Sequence, residues 1–142
     1  VEGAEAQHEG IDYINNDRDA TDVPIYTIGS GTVVYARTGC VSSSQFASNT
    51  MQRECGAGWG NHLVIQHSRS VFSRYAHLRT DGVLKAVGEQ VEKNEIIGIM
   101  GNSGRSDMRH LHLEIGKSVT PFRSCASSQS FESVTDPRRF GL

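Results

Sequence analysis

His110-Leu111-His112, followed by Leu113-Glu114-Ile115, puts two imidazoles and a carboxylate at alternate positions, with apolar residues between them. If this segment is extended, one face of a strand carries the chemistry and the other packs. Imidazole is the commonest protein ligand for zinc, and two of them at i and i+2 converge on one point only in an extended chain. Taken alone, the pair equally describes a half-exposed strand with polar residues outward. Near the other end, His8-Glu9-Gly10-Ile11-Asp12 supplies a further imidazole and a carboxylate. The two segments together offer His, Asp and His. Two nitrogens and one oxygen hold zinc and leave a fourth tetrahedral position for water, the pattern of a catalytic rather than a structural site. His8-Glu9 also begins like the helical His-Glu-x-x-His motif, but Asp12 stands where the second His should be and Gly10 weakens a helix. His8 to Asp12 therefore reads as a turn entering a strand.

The elements that must position these groups read as short strands separated by glycine turns, with little helix. Gly31 to Ala36 carries the β-branched run Thr32-Val33-Val34, and Asn61 to His67 alternates Leu63 and Ile65 against His62, Val64 and Gln66. After a turn at Ser68-Arg69-Ser70, Val71 to Leu78 forms the second arm of a hairpin. Strict alternation there puts Val71, Ser73, Tyr75 and His77 on one face, opposite Phe72, Arg74, Ala76 and Leu78. Two shorter strands follow, around Gln90-Val91 and Ile96 to Met100, with turns at Gly88 and Lys93-Asn94. Asn102 to Arg109 is a polar loop feeding the His110 strand, and residues 117–142 read as a polar, Ser-rich tail of low order. No internal repeat or domain boundary interrupts the chain, so residues 1–142 read as a single domain.

The chain of 142 residues is long enough for a real core. Its net charge of −2 and pI near 6.3 give no general attraction to nucleic acid, and no Lys/Arg cluster supplies one. The longest apolar run, Ile96-Ile97-Gly98-Ile99-Met100, is far too short to span a bilayer. Because the chain begins at Val1, an export signal or further domains are expected upstream. Cys40 and Cys55 bracket a polar, Ser-rich loop, and a disulfide closing it would contribute ~3 kcal/mol, which points to an oxidising compartment. Zinc ligation by these thiols is the alternative, unsupported by any second closely spaced pair. Cys125 is left over.

His8-x-Gly10-x-Asp12, Gly60-Asn61, Tyr75-Ala76-His77-Leu78, Val87-Gly88-x-x-Val91, Gly98, Gly101, Ser103-Gly104-x-Ser106 and His110-Leu111-His112-x-Glu114 follow one another in an order that resembles the lysostaphin-type (LytM-like) zinc metallopeptidases. The resemblance covers residues 8–116. It implies a mostly β fold, a compact antiparallel sheet domain with a groove across one sheet, and hydrolysis of peptide cross-links in bacterial peptidoglycan, in the periplasm or outside the cell. Position by position, it implies His8, Asp12 and His112 as ligands to Zn2+ and His77 and His110 as the catalytic, non-ligand histidines. Asn61 matches a groove position, though a turn residue before a strand would look the same. Family relatives that have lost their ligands bind or activate other wall hydrolases, and an upstream segment that inhibits or targets the domain is left open.

Several residues depart from the family pattern. Met108-Arg109 replace a Gly-Pro before the His110 strand, which suggests that Arg109 lines the groove and binds a substrate carboxylate, favouring D-alanyl–diaminopimelate cross-links over glycine bridges. Asn94 stands in for a turn glycine, which its tolerance of left-handed backbone allows. His62 and His67 read as structural, Glu114 as a partner for a ligand imidazole, and Trp59 as a groove edge or core. Asp17, Asp19 and Asp22 read as a solvated acidic turn, since the glycine and glutamate of a calcium loop are missing. Val87 to Gly98 also resembles the hairpin of biotinyl and lipoyl carriers, but Lys93-Asn94 is a poor match for their modified turn lysine.

Overall fold

The structure, a computed structural model, describes residues 10–17, 20–44, 46–119, 121–122 and 127–136. His8, Asp19 and Cys125 lie outside the described residues. Among the described residues nine strands form one sheet system: β1 (Ile11–Tyr13), β2 (Pro24–Tyr26), β3 (Gly31–Arg37), β4 (Asn61–Gln66), β5 (Val71–Val83), β6 (Gln90–Val91), β7 (Ile96–Met100), β8 (Leu111–Lys117) and β9 (Ser133–Thr135). Their pairings are antiparallel, in the order β1-β8-β5-β4-β3-β6, with β9 extending β8. The long strand β5 lies between β4 and β8 in its first half and pairs with β7 in its second, and β7 in turn pairs with β2.

This crossing creates the core. Leu63, Ile65, Tyr75 and Leu113 from one face of the main sheet pack against Ile25, Ile97 and Met100 from β2 and β7. Alternation along β4 and β8 sets that face: Leu63 and Ile65 point inward together, as do Leu113 and its neighbour across the sheet, Tyr75. The opposite face is not uniform. At one end Tyr35, Val64, Phe72 and Phe131 form a second, aromatic-rich cluster. Beyond it comes a buried polar band of His62, Arg74 and Glu114, and then a cleft.

One region differs from the sequence-based expectation. The segment read as a low-order tail supplies β9 and the buried Phe131, which stacks on Phe72. Its apolar residues are isolated in a polar sequence and become a core only beside Phe72. The Cys40–Cys55 disulfide is present as expected, with Cα atoms 5.7 Å apart, and the loop it closes is bonded to the rest of the domain. Buried Asn49 donates through Nδ2 to Gly104 O at 2.8 Å, and its backbone N–H donates to Ser106 O at 2.8 Å. Asn102 Nδ2 donates to Ala47 O at 2.6 Å. These bonds bind the loop to the segment that carries the approach to His110. Asn94 adopts φ +68°, as its place in the turn requires.

Candidate active site

On β8, His112 and Glu114 point away from the apolar core, because Leu113 between them faces it. Antiparallel register puts Asp12 of β1 directly opposite His112, and Ala76 of β5 on its other side. The small Ala76 side chain leaves room above the sheet. Asp12 Oδ1 lies 2.9 Å from His112 Nδ1, and Glu114 Oε2 lies 2.9 Å from His112 Nε2.

His77 reaches the same place by an irregularity. Asn61 pairs with Leu78 and Leu63 with Tyr75, so Ala76 and His77 together oppose His62, a β-bulge. The bulge corrects the alternation expected from sequence: Tyr75 and Leu78 both enter the core, while His77 turns to the opposite face with φ +59°. For a non-glycine residue this conformation is strained, and strained residues of this kind concentrate at functional sites. The His77 backbone N–H donates to Trp59 O at 2.8 Å, which holds the bulge. Its ring centroid is 4.8 Å from that of His110 and 6.0 Å from that of His112.

Around it, backbone meets backbone. A Cβ on Gly60, which has φ +68°, would lie 2.4 Å from Ser103 C, and one on Gly104 would lie 2.4 Å from Gly60 N. Only glycine permits this approach, and it brings Ser103 O to within 2.7 Å of His77 Nδ1. A carbonyl can only accept, so the proton of His77 sits on Nδ1 and the lone pair on Nε2. The same holds for His110, whose Nδ1 is 2.8 Å from Met108 O. Burial, and after it the neighbouring His110, push the His77 imidazole down to about 3, so it is neutral at physiological pH.

His112 lies between two carboxylates, which also only accept. Burial by itself would lower its pKa, but hydrogen bonds to Asp12 and Glu114, together with their charges, more than reverse that and push it to about 9. The arrangement favours a positive charge at Nδ1. Donors 2.9 Å apart approach the ~3.3 Å separation of neighbouring ligands on a tetrahedral zinc with bonds of ~2.0 Å. The donor chemistry therefore fits the metal. Among the described residues no third His, Cys, Asp or Glu joins them in a metal-holding cluster, and the expected third ligand, His8, lies outside those residues.

Glu114 is itself fixed. It is buried, it accepts Trp59 Nε1–H at 3.0 Å, and Arg74 Nε lies 3.3 Å from its other oxygen. Trp59 thus serves both readings offered for it: it lines the cleft, and it stacks beneath the Arg74 guanidinium at 3.5 Å. The cleft, about 340 Å³, is lined by Asp12, Ala57, Gly58, Trp59, His77, Arg105, His110 and His112.

Two expected groove residues are elsewhere. Asn61 is buried, accepting from Cys40 N at 2.8 Å and donating to Cys40 O at 2.9 Å, so it anchors the disulfide loop. Arg109 is buried over the Phe46 ring and donates to Asp17 O at 3.2 Å. The arginine that lines the cleft among the described residues is Arg105, four residues earlier in the same loop. Its Ser-Gly-Arg-Ser context carried no signal to distinguish it from any other solvated arginine.

Comparison with known proteins identifies the family. The sequence pattern of peptidase family M23 matches residues 6–124. Peptidoglycan DD-endopeptidase ShyA of Vibrio cholerae is 33% identical over 110 residues, which cover 78% of this chain and 20% of that protein. Lipoprotein NlpD of Yersinia enterocolitica is 35% identical over 103 residues, covering 70% of this chain and 87% of that one. The chain thus spans about a fifth of the first relative and most of the second. Among solved structures, a zinc-containing peptidase from Vibrio cholerae has a TM-score of 0.58 at 28% identity, covering 80% of this chain and 28% of its own. The catalytic domain of a prophage-encoded M23 protein from Enterococcus faecalis reaches a TM-score of 0.63 at 21% identity, over 95% and 79% of the two chains. With its antiparallel sheet and with residues 6–124 matched, this chain belongs to peptidase family M23.

Proposed function

We propose that this chain is a single-domain zinc endopeptidase acting on the peptide cross-links of bacterial peptidoglycan, with His8, Asp12 and His112 as metal ligands and His77 and His110 as the catalytic histidines. The observation that carries this reading is the Asp12–His112 pair at 2.9 Å beside two imidazoles that each commit the Nδ1 proton to a carbonyl. A zinc ion held by these residues would supply an acidified water and a Lewis acid for the scissile carbonyl. The chain's own residues then handle protons. His77 and His110 each present an Nε2 lone pair that can take a proton from an attacking water and return it to the departing amine. Burial keeps His77 neutral and so ready to accept. Glu114 holds the proton of His112 on Nε2, which leaves Nδ1 as the nitrogen that would give up its proton and hold the metal beside Asp12.

D-Alanyl–diaminopimelate bonds are the preferred substrate, a choice supported by relatives named peptidoglycan DD-endopeptidases. The disulfide and the lipoproteins among the relatives support a place in the bacterial cell envelope, periplasmic or extracellular. Among the described residues no helix is long and apolar enough to cross a membrane.

A second reading is a non-catalytic module that binds or activates other wall hydrolases. It is favoured by one observation: the relative matched over 87% of its own length is named a lipoprotein rather than an enzyme. Elemental analysis and mass spectrometry of digested muropeptides separate the two. The endopeptidase holds one zinc, cleaves cross-linked muropeptides and loses metal in Asp12→Ala and His112→Ala. Full zinc occupancy in both variants overturns the ligand assignment, cleavage of pentaglycine alone overturns the bond preference, and zinc binding without any cleavage supports the module.

A further inference from the structure

The cleft has two lobes. One is walled by Ala57, Gly58 and Trp59, the other by Ile14, Asp107 and Met108, and the residues that line both are Asp12, Arg105 and His110. Arg105 is the only arginine or lysine lining either lobe among the described residues. The arginine expected in that role, Arg109, is buried, and Arg74 is held beneath the sheet face by Glu114.

Arg105 is firmly mounted at its base and loose at its head. Its backbone N–H donates to Gly58 O at 2.8 Å, and its side chain lies across Gly58, where a Cβ would meet Arg105 Cδ at 3.3 Å. The stem thus runs along the cleft wall in the space that the glycine leaves. The guanidinium forks onto Glu54, with Nε donating to Oε2 at 2.7 Å and Nη2 donating to Oε1. Side-chain exposure is 57% for Arg105 and 74% for Glu54, so water competes with the pair and holds it weakly. Glu54 comes from the disulfide-closed loop, next to Cys55, which places its carboxylate at the cleft mouth. It occupies the fork as a substrate carboxylate would, and it can swing into solvent to yield its place.

We infer that Arg105 is the specificity-determining cation of the cleft, binding a free carboxylate of the peptide substrate in place of Glu54. This rests on the endopeptidase reading and names which peptides that site prefers: those with a carboxylate beside the scissile bond. A guanidinium fork matches a planar carboxylate bidentately and does not match a primary amide of the same shape, which lacks the second acceptor and the charge.

The test compares purified cross-linked muropeptides bearing free diaminopimelate carboxylates with the same peptides amidated at those groups. Equilibrium binding and hydrolysis are both measured on the full chain. The wild type should bind the free-carboxylate peptide roughly tenfold more tightly than the amide, as expected for a hydrogen bond to a charged group. Arg105→Gln should bring that ratio close to one, Arg105→Lys should retain part of it, and Glu54→Gln, which removes the internal competitor, should raise it. Equal binding of both peptides by the wild type, or an unchanged preference in Arg105→Gln, overturns the inference. A preference in binding with no cleavage of either peptide by the zinc-loaded wild type leaves the carboxylate site standing and overturns the endopeptidase reading.

Discussion

His62 and His77 are both buried on the same side of the sheet, and in both the imidazole is pushed down to about 3, first by burial and then by a neighbouring basic group, Arg74 for one and His110 for the other. They differ in what their nitrogens meet. His62 Nδ1 donates to Gly60 O at 2.9 Å, its Nε2 receives Arg74 Nη1–H at 3.4 Å, and its ring lies between Tyr35 and Trp59. Both nitrogens face protein, so the ring can only fill space and satisfy its neighbours. His77 has its Nδ1 on Ser103 O, while the ring lines the cleft. Burial and a depressed pKa therefore do not mark a catalytic histidine here; a nitrogen facing the cleft does.

The sharpest way to break this contrast is to exchange each ring for a smaller side chain. His77→Ala and His110→Ala should keep zinc and lose ~10²–10⁴-fold in hydrolysis of cross-linked peptides, the usual cost of a positioned acid/base group. His62→Ala should keep hydrolysis within a few fold of wild type once folded, while thermal unfolding shows a loss of ~1–3 kcal/mol from the unsatisfied polar groups left behind. Equal activity losses at positions 62 and 77 would erase the distinction.

Glu114 joins the two regions, touching His112 on one side and Trp59 and Arg74 on the other. Glu114→Gln should weaken zinc binding by about 10–100-fold, read by competition with a chelator. Removing the carboxylate also leaves Arg74 buried without its counter-charge, so the variant should unfold earlier than Trp59→Phe, which removes one neutral donor. Unchanged zinc affinity would assign Glu114 to the structural region alone.

Reduction of the Cys40–Cys55 bridge should act on the cleft side. Its ends are 15 residues apart in sequence, so its loss costs ~3 kcal/mol in the chain-entropy model. Glu54 and the loop bonded to Gly104 and Ser106 should loosen first. Hydrogen exchange under reducing conditions should therefore rise around residues 102–107 before it rises in β4 and β5. Uniform exchange across both regions would show that the clamp is not local.

The last effect expected is in pH dependence. The folded His62 titrates near 3 against an ordinary 6.5, so above about 6.5 it costs nothing. As pH falls from there toward about 3, the unfolded chain binds a proton that the folded chain does not, and stability declines. Comparing acid unfolding of the metal-free wild type with His62→Phe should show a shallower decline in the variant. Parallel curves would mean that His62 is not held neutral.

Alternation in Leu111 to Ile115 was sufficient to place His112 and Glu114 on one face, because a strand has only two faces and the apolar residues must take the buried one. The β4–β5 hairpin, the left-handed Asn94 and the Cys40–Cys55 pairing were legible for similarly local reasons. His77 was not. Its face depends on a bulge set by how β5 registers against Asn61 and Leu63, and no local pattern announces that slip. Phe122, Phe131 and Val134 were hidden too, since scattered apolar residues become a core only when Phe72 lies beside them.

The sequence by itself determined the chemistry available: the histidines and carboxylates, their order along the chain, and the apolar rhythm of the strands that hold most of them. Tertiary structure decided which of those groups face the cleft. It buried Arg109 and Asn61, turned His77 out of the core, and left Arg105 as the arginine at the cleft. The reason is physical: a side chain's direction in a loop or at a bulge follows from backbone contacts made with distant segments, here Gly60 against Ser103 and Asn49 against Gly104.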